Sequence, residues 1–187
     1  MKLMTKLLSL FSFDRNDLAQ SGEPSSSFDE SDYAFMQRAL ELAQQAELKG
    51  EVPVGALIVK NGHIIAEGYN QPITTNNPCA HAEVIALMAA GRKTNNYRLI
   101  DTTVYVTLEP CAMCAMALVH ARVARVVYAA SDPKTGAAGS AFSILHSDKN
   151  NHKPLVERGL LAEHSSKILK DFFKKRRAQQ KSTKKAK

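Results

Sequence analysis

"VGALIVKNGHIIAEGY", residues 54–69, sets the architecture. Two apolar runs, "VGALIVK" and "HIIAEGY", flank Asn61-Gly62. That dipeptide is the preferred occupant of a tight type I′ turn, because both central residues must take positive φ. The stretch therefore reads as a β-hairpin. Upstream, Met36, Ala39, Leu40 and Ala43 recur at helical spacing, with Asp29 or Ser31 as N-cap candidates and Gly50 as the stop. Downstream, a polar loop over 71–77 precedes a predicted helix over 81–90. "TTVYVTL" (102–108) reads as a buried strand, 111–120 as a helix and "ARVVYAA" (124–130) as another strand. Strand–helix–strand of this length implies a right-handed crossover and parallel pairing. A hairpin joined to such a crossover predicts an α/β domain, its mixed sheet covered by helices on both faces. "SDPKTGAAGS" (131–140) is expected to be a loop, and a last helix to run from about Ala162 into a basic tail.

The chain has 187 residues, 44% of them apolar, which suits one domain with a substantial core. No apolar run approaches the ~20 residues that span a bilayer, so no membrane role is expected. The net charge of +7 is concentrated at one end: Ser165 to Lys187 holds ten Lys or Arg and one Asp. The rest of the chain is slightly acidic. Such a run is either a solvated end or an electrostatic contact for nucleic acid. "SGEPSSSF" (21–28) reads as a linker. These shifts divide the chain into a poorly ordered extension and linker (1–28), a compact domain (29–178) and a basic disordered tail (179–187). "MKLMTKLLSLFSF" at the start looks like the front of a signal peptide, but no A-x-A-like site follows and acidic residues come next. An uncleaved extension is the better reading.

Three cysteines are too few for a disulfide framework. Cys111-x-x-Cys114 points to metal or redox chemistry in a reducing compartment, hence the cytoplasm. Catalytic zinc takes three protein ligands and leaves a fourth position open. Cys111 and Cys114 supply two thiolates just after Pro110, where a helix start would favour the ionised form. The third ligand must come from "PCAHAEV", residues 78–84, about thirty residues upstream. His81 and Cys79 are both candidates. They lie two positions apart, so on a regular helix they face opposite ways and do not bind together. His81 and Glu83 can share a site only if His81 stands at the irregular start of the helix, and Pro78 suits such a start.

"HAE", about thirty residues, then "PCAMC" matches the His-x-Glu…Pro-Cys-x-x-Cys signature of the cytidine-deaminase-like zinc deaminases. A longer set, "EVPVGALIV", "GYN", "AHAE", "NYRLID", "YVTLEPCAMC" and "KTGAAGS", closely resembles the bacterial tRNA-specific adenosine deaminases, from about Asp32 to Arg177. The resemblance implies a three-layer α/β/α fold with a mixed central sheet of about five strands. It implies zinc, one per subunit, held by His81, Cys111 and Cys114. Glu83 would be the catalytic acid/base and not a ligand. Cys79 falls where many relatives have Thr and is expected to be a small buried residue with no required role. Asn70 corresponds to a residue that hydrogen-bonds the target base. Arg98, Asp132 and Lys134 correspond to positions near the RNA. Val54 and Leu108 are expected to help wall the base. Many relatives carry Arg where this chain has Gln71, so one phosphate contact is missing or supplied elsewhere.

The implied activity is hydrolytic deamination of adenosine to inosine at the wobble position of a tRNA anticodon, with hydroxide on zinc as nucleophile and Glu83 as proton shuttle. The implied partners are a tRNA anticodon stem-loop and a second copy of the chain in a homodimer. Two other readings compete. One is a deaminase of a free base or nucleoside, which keeps the zinc chemistry and drops the RNA. The other is an RNA-binding module with structural zinc, for which Glu83 would have no purpose.

Overall fold

The structure, a computed structural model, describes residues 28–185. The N-terminal stretch and most of the expected linker lie outside the described residues. Helix α1 (Glu30–Leu48) starts at Asp29, whose carboxylate accepts the Asp32 N–H at 2.8 Å while Asp32 accepts the Asp29 N–H at 3.2 Å. This reciprocal cap satisfies two backbone donors that a helix start leaves unpaired. Strands β1 (Gly55–Lys60) and β2 (His63–Tyr69) form the hairpin. Asn61 and Gly62 turn it at φ 52° and 74°, as the dipeptide predicts. Further along come α2 (Pro72–Thr75), α3 (Ala82–Thr94), β3 (Thr102–Leu108), α4 (Ala112–Ala121), β4 (Arg125–Ala130), β5 (Leu155–Arg158) and α5 (Ala162–Lys185).

The five strands lie in the order β2-β1-β3-β4-β5. β1 is antiparallel to both its neighbours, and β3, β4 and β5 run parallel. The two-residue period of the strands sorts the core into two layers. Ala56, Ile58, Val104, Val106, Val126 and Tyr128 pack with Ala82, Ala86, Leu118 and Val119 of α3 and α4. Leu57, Val59, Tyr105, Val127 and Ala129 pack with Met36, Ala39 and Leu42 of α1, and with Leu160. The result is the expected α/β/α sandwich. Gly68 allows α3 to sit close on β2: a Cβ there would strike the Ala82 carbonyl and lie 2.7 Å from the Ala86 nitrogen. The start of α3 is thereby held against the sheet.

Two expectations need correction, and one strand was not foreseen. Residues 71–77 are not all loop, because Pro72 opens the single turn of α2. Pro pre-sets the helical φ at a first position, but four residues with none buried leave no periodic signal. The basic tail is helical to Lys185 rather than disordered from 179, which suits its run of Ala, Gln and Lys. β5, "LVER", carries no strand pattern of its own. Its Glu157 pairs with Arg125, and Arg125 also grips Asp32 in two bonds of 2.6 and 3.0 Å. Tyr105 donates its hydroxyl to the same carboxylate.

The cluster ties α1, β3, β4 and β5 together at the end of the sheet where β4 begins. Burial alone would raise the Asp32 pKa, but hydrogen bonds from Arg125 and Tyr105 outweigh it and hold the carboxyl below its ordinary value. Removing one member of a buried pair costs about 3–5 kcal/mol. Arg125 keeps Glu157, so Asp32→Asn is expected to cost about 3 kcal/mol in urea unfolding at pH 7. A carboxylate with a depressed folded pKa stabilises above its unfolded pKa of about 3.9 and stops doing so as pH falls through the folded value. The deficit of the variant should therefore be full at neutral pH and shrink below about pH 4.

Candidate metal centre and active site

His81 is the N-cap of α3, with extended backbone (φ −75°, ψ 154°), and Cys111 is the N-cap of α4 (φ −71°, ψ 173°). Cys114 sits in the first turn of α4 and is fully buried. These two helix starts bring the three side chains together. His81 Nδ1 lies 3.6 Å from Cys111 Sγ and 3.5 Å from Cys114 Sγ. All three candidate ligand atoms fall within 4.8 Å of one another. Zinc bonds of ~2.3 Å to sulfur and ~2.0 Å to nitrogen, at a tetrahedral angle, would separate N from S by about 3.6 Å. The donor set and its spacing fit zinc. Cys114 donates its S–H to Cys111. The Cys111 thiol is thereby brought down to about 4 and that of Cys114 is raised.

Glu83 is two residues beyond His81 in the first turn of α3 and is 4% exposed. The extended backbone of His81 resolves the facing problem, because the two side chains do not both belong to a regular helix. Burial pushes the Glu83 carboxyl up. Cys79 is exposed, not buried as expected, and stands apart from the three clustered ligands. Its N–H donates to the Asn77 side chain at 2.9 Å.

His81, Glu83 and Cys111 line a pocket of about 230 Å³ whose walls include Val54, Asn70, Ile73, Leu108, Glu109 and Asp132. Pockets for drug-sized ligands run to about 300–1,000 Å³, so this one suits a single base. Asn70 is buried, and its Oδ1 accepts the Ala82 N–H at 2.9 Å. The oxygen is used in capping α3, which leaves the amide nitrogen as the donor offered to the pocket. Asp132 accepts the Lys134 N–H at 2.9 Å and the Thr135 hydroxyl at 2.6 Å, so its carboxylate also shapes its own loop. Lys134 and Arg98 are exposed and do not line the pocket. The Arg98 guanidinium lies 5.2 Å from the Tyr97 ring centroid.

Two buried carboxylates to which the sequence reading gave no role, although both stand in stretches that carry the resemblance, hold the rims of the pocket. Glu51, 1% exposed, accepts the Thr74 N–H at 2.7 Å and fixes the loop that carries Ile73. Glu109, 2% exposed, accepts the N–H groups of Asp132, Ala138 and Ser140 at 3.0, 2.9 and 3.1 Å, and the Ser140 hydroxyl. Gly136 passes so close that a Cβ would strike the Glu109 carboxylate. A charged residue one place before Pro110-Cys111, inside a buried run, was the available signal. Hydrogen bonds to charged groups are worth about 1.5–3 kcal/mol. Glu109→Gln replaces one acceptor oxygen with a donor. It is expected to cost about 2 kcal/mol and to open the 131–140 loop to trypsin at Lys134, with zinc content unchanged. Limited proteolysis and metal analysis would check both.

A mixed five-stranded sheet that sets two cysteines and a histidine at helix starts beside a buried glutamate defines a zinc-deaminase centre. Residues 29–130 match the cytidine and deoxycytidylate deaminase zinc-binding region. The tRNA-specific adenosine deaminase of Haemophilus influenzae is 50% identical over 153 residues, which cover 81% of this chain and 88% of that protein. That of Bacillus subtilis is 42% identical over 154 residues, 82% of this chain and 96% of its own length. A solved tRNA:A34 deaminase structure, from work on A-to-I editing at the wobble position of transfer RNA, superposes with a TM-score of 0.71 at 40% identity. It covers 73% of this chain and 99% of its own. A guanine deaminase from Nitrosomonas europaea shares the fold (TM-score 0.66, 22% identity, 86% of this chain and 93% of that one). The chain belongs to the family of tRNA-specific adenosine deaminases.

Proposed function

We infer that this protein deaminates adenosine to inosine at the wobble position of a tRNA anticodon. The observation that carries the chemistry is the buried Glu83 carboxylate beside the His81, Cys111 and Cys114 cluster. Zinc in that cluster supplies Lewis acidity, which lowers the pKa of water from about 15.7 to roughly 7. Glu83 takes the proton from the attacking water as oxygen adds to C6 of the adenine, and passes it to N1. It then carries the hydroxyl proton to the amino group, which leaves as ammonia. Asn70 orients the base through its amide nitrogen, and Val54 and Leu108 exclude water from its faces. Asp132 and Lys134, on the loop held by Glu109, and Arg98 are assigned to the RNA around the target nucleotide.

A single-stranded anticodon loop suits a pocket sized for one base, because its bases can be splayed out at low cost. The reading includes a homodimer. A groove between α3 and α4 presents Leu87, Met88 and Tyr97, and Met88, Tyr97 and Met116 are exposed. Apolar surface of that kind marks a protein contact. Sedimentation should give a dimer, and Met88→Glu should shift it toward monomer. No helix among the described residues is long and apolar enough to cross a membrane; the reading includes a cytoplasmic location, which a tRNA substrate supports.

The test is inosine formation in a tRNA whose anticodon begins with A, with free adenosine and cytidine in parallel. Inosine in the tRNA alone is expected. Ammonia from a free nucleoside, with none from tRNA, would overturn the substrate and leave the zinc chemistry intact.

A further inference from the structure

The second half of α5 sorts its cations by role. Lys175 pairs with Glu47 at 2.8 Å, and Arg176 donates to the Gly50 carbonyl at 2.9 Å with its guanidinium 5.8 Å from the Phe172 ring centroid. Both partners stand at the end of α1, immediately before Glu51 and Val52, which line the pocket. Earlier in α5, Ser165 donates its hydroxyl to the Thr107 carbonyl at the end of β3. The helix is thus fastened at two points to the end of the sheet that carries the pocket.

At 100° per residue, the half-buried Ile168 and Leu169 and the buried Phe172 fall on one side of α5. Lys170, Lys174, Arg177 and Lys181 fall within about 60° of one another on the opposite side. All four are exposed. Asp171, the one acidic residue after Glu163 in the helix, is taken by Lys167 at 2.9 Å. The four cations therefore form a stripe roughly 16 Å long. Residues 177–185 carry the helix about 13 Å beyond its anchor near the pocket.

We propose that the stripe Lys170, Lys174, Arg177 and Lys181 is a rigid rail for the phosphate backbone of the RNA that delivers its base to the pocket. The proposal rests on the reading of the protein as an RNA deaminase. The occupant follows from charge complementarity: residues before Ser165 are net acidic, and the cations are gathered on one face beside the pocket. Ammonium and guanidinium groups spaced along a rod match a chain of phosphates and carry no base preference. The rail acts on affinity, not on the chemical step.

The experiment compares three zinc-loaded proteins: wild type, K174Q/R177Q/K181Q, and K60Q/K149Q/K153Q. The last removes the same charge away from α5. Lys60 pairs with Thr102 at the start of β3, and Lys153 lies just before β5, so both sit at the far end of the sheet. Binding to a tRNA substrate is measured across salt concentrations, together with kcat. Each phosphate that is no longer neutralised should flatten the slope of log K against log salt by about 0.7–0.9. The α5 triple should flatten it by about 2, raise KM and keep kcat, while the control triple keeps the wild-type slope. Equal slopes in all three would overturn the rail. So would an unchanged RNA slope with abolished binding to phosphatidylserine vesicles, which would make the stripe a lipid contact. If wild type binds RNA with the expected slope difference but forms no inosine, the deaminase reading fails and the rail stands.

Discussion

Glu83→Ala is expected to keep its zinc and lose inosine formation. Removing a general acid/base costs about 10²–10⁴ in rate, and in the proposed mechanism this carboxylate serves two proton transfers, so the loss should lie at or beyond the upper end. Zinc should stay because the proposed ligands are His81, Cys111 and Cys114, whose placement rests on the starts of α3 and α4. The fold should tolerate the change, because among the described residues no side chain–side chain ion pair depends on Glu83. Metal content, thermal unfolding and single-turnover inosine formation would be measured on the same preparation. Turnover near that of wild type would sink the mechanism. Loss of zinc together with activity would instead make Glu83 part of the metal site.

The second large effect belongs to the proposed metal ligands. His81→Ala and Cys114→Ser should each lose zinc and with it all measurable turnover, whereas Cys79→Ser should match wild type in both. The contrast follows from position: Cys79 is exposed and apart from the cluster, while Cys114 is fully buried within it. Zinc requires deprotonated ligands, so uptake should release protons and weaken as pH falls. Chelation of the wild type should reproduce the inactivity of the ligand variants, with activity restored by added zinc. Equal zinc loss in Cys79→Ser would return the ligand question to where the sequence leaves it.

That question marks the boundary between sequence and tertiary structure here. The hairpin was legible because Asn61-Gly62 encodes positive φ locally, and strands β1, β3 and β4 were legible because their apolar runs are buried on both faces. Cys111 and Cys114 were legible as a pair because four consecutive residues at a helix start bring both thiols to one place. β5 was not legible, since "LVER" is held by the Asp32–Arg125–Glu157 cluster, whose members come from distant parts of the chain. The roles of Glu51 and Glu109 were not legible either, because a buried carboxylate is defined by which N–H groups reach it.

Most element types, the metal chemistry and, through resemblance, the family were written in the chain itself. Backbone propensity, side-chain period and donor identity are local properties and survive in a string of letters. Folding had to add that Cys79 stands outside the site, that two carboxylates hold the rims of the pocket, and that α5 divides its cations into anchors and an outward stripe. Each of these depends on distances between residues far apart in the chain, which the packed sheet and its helices set.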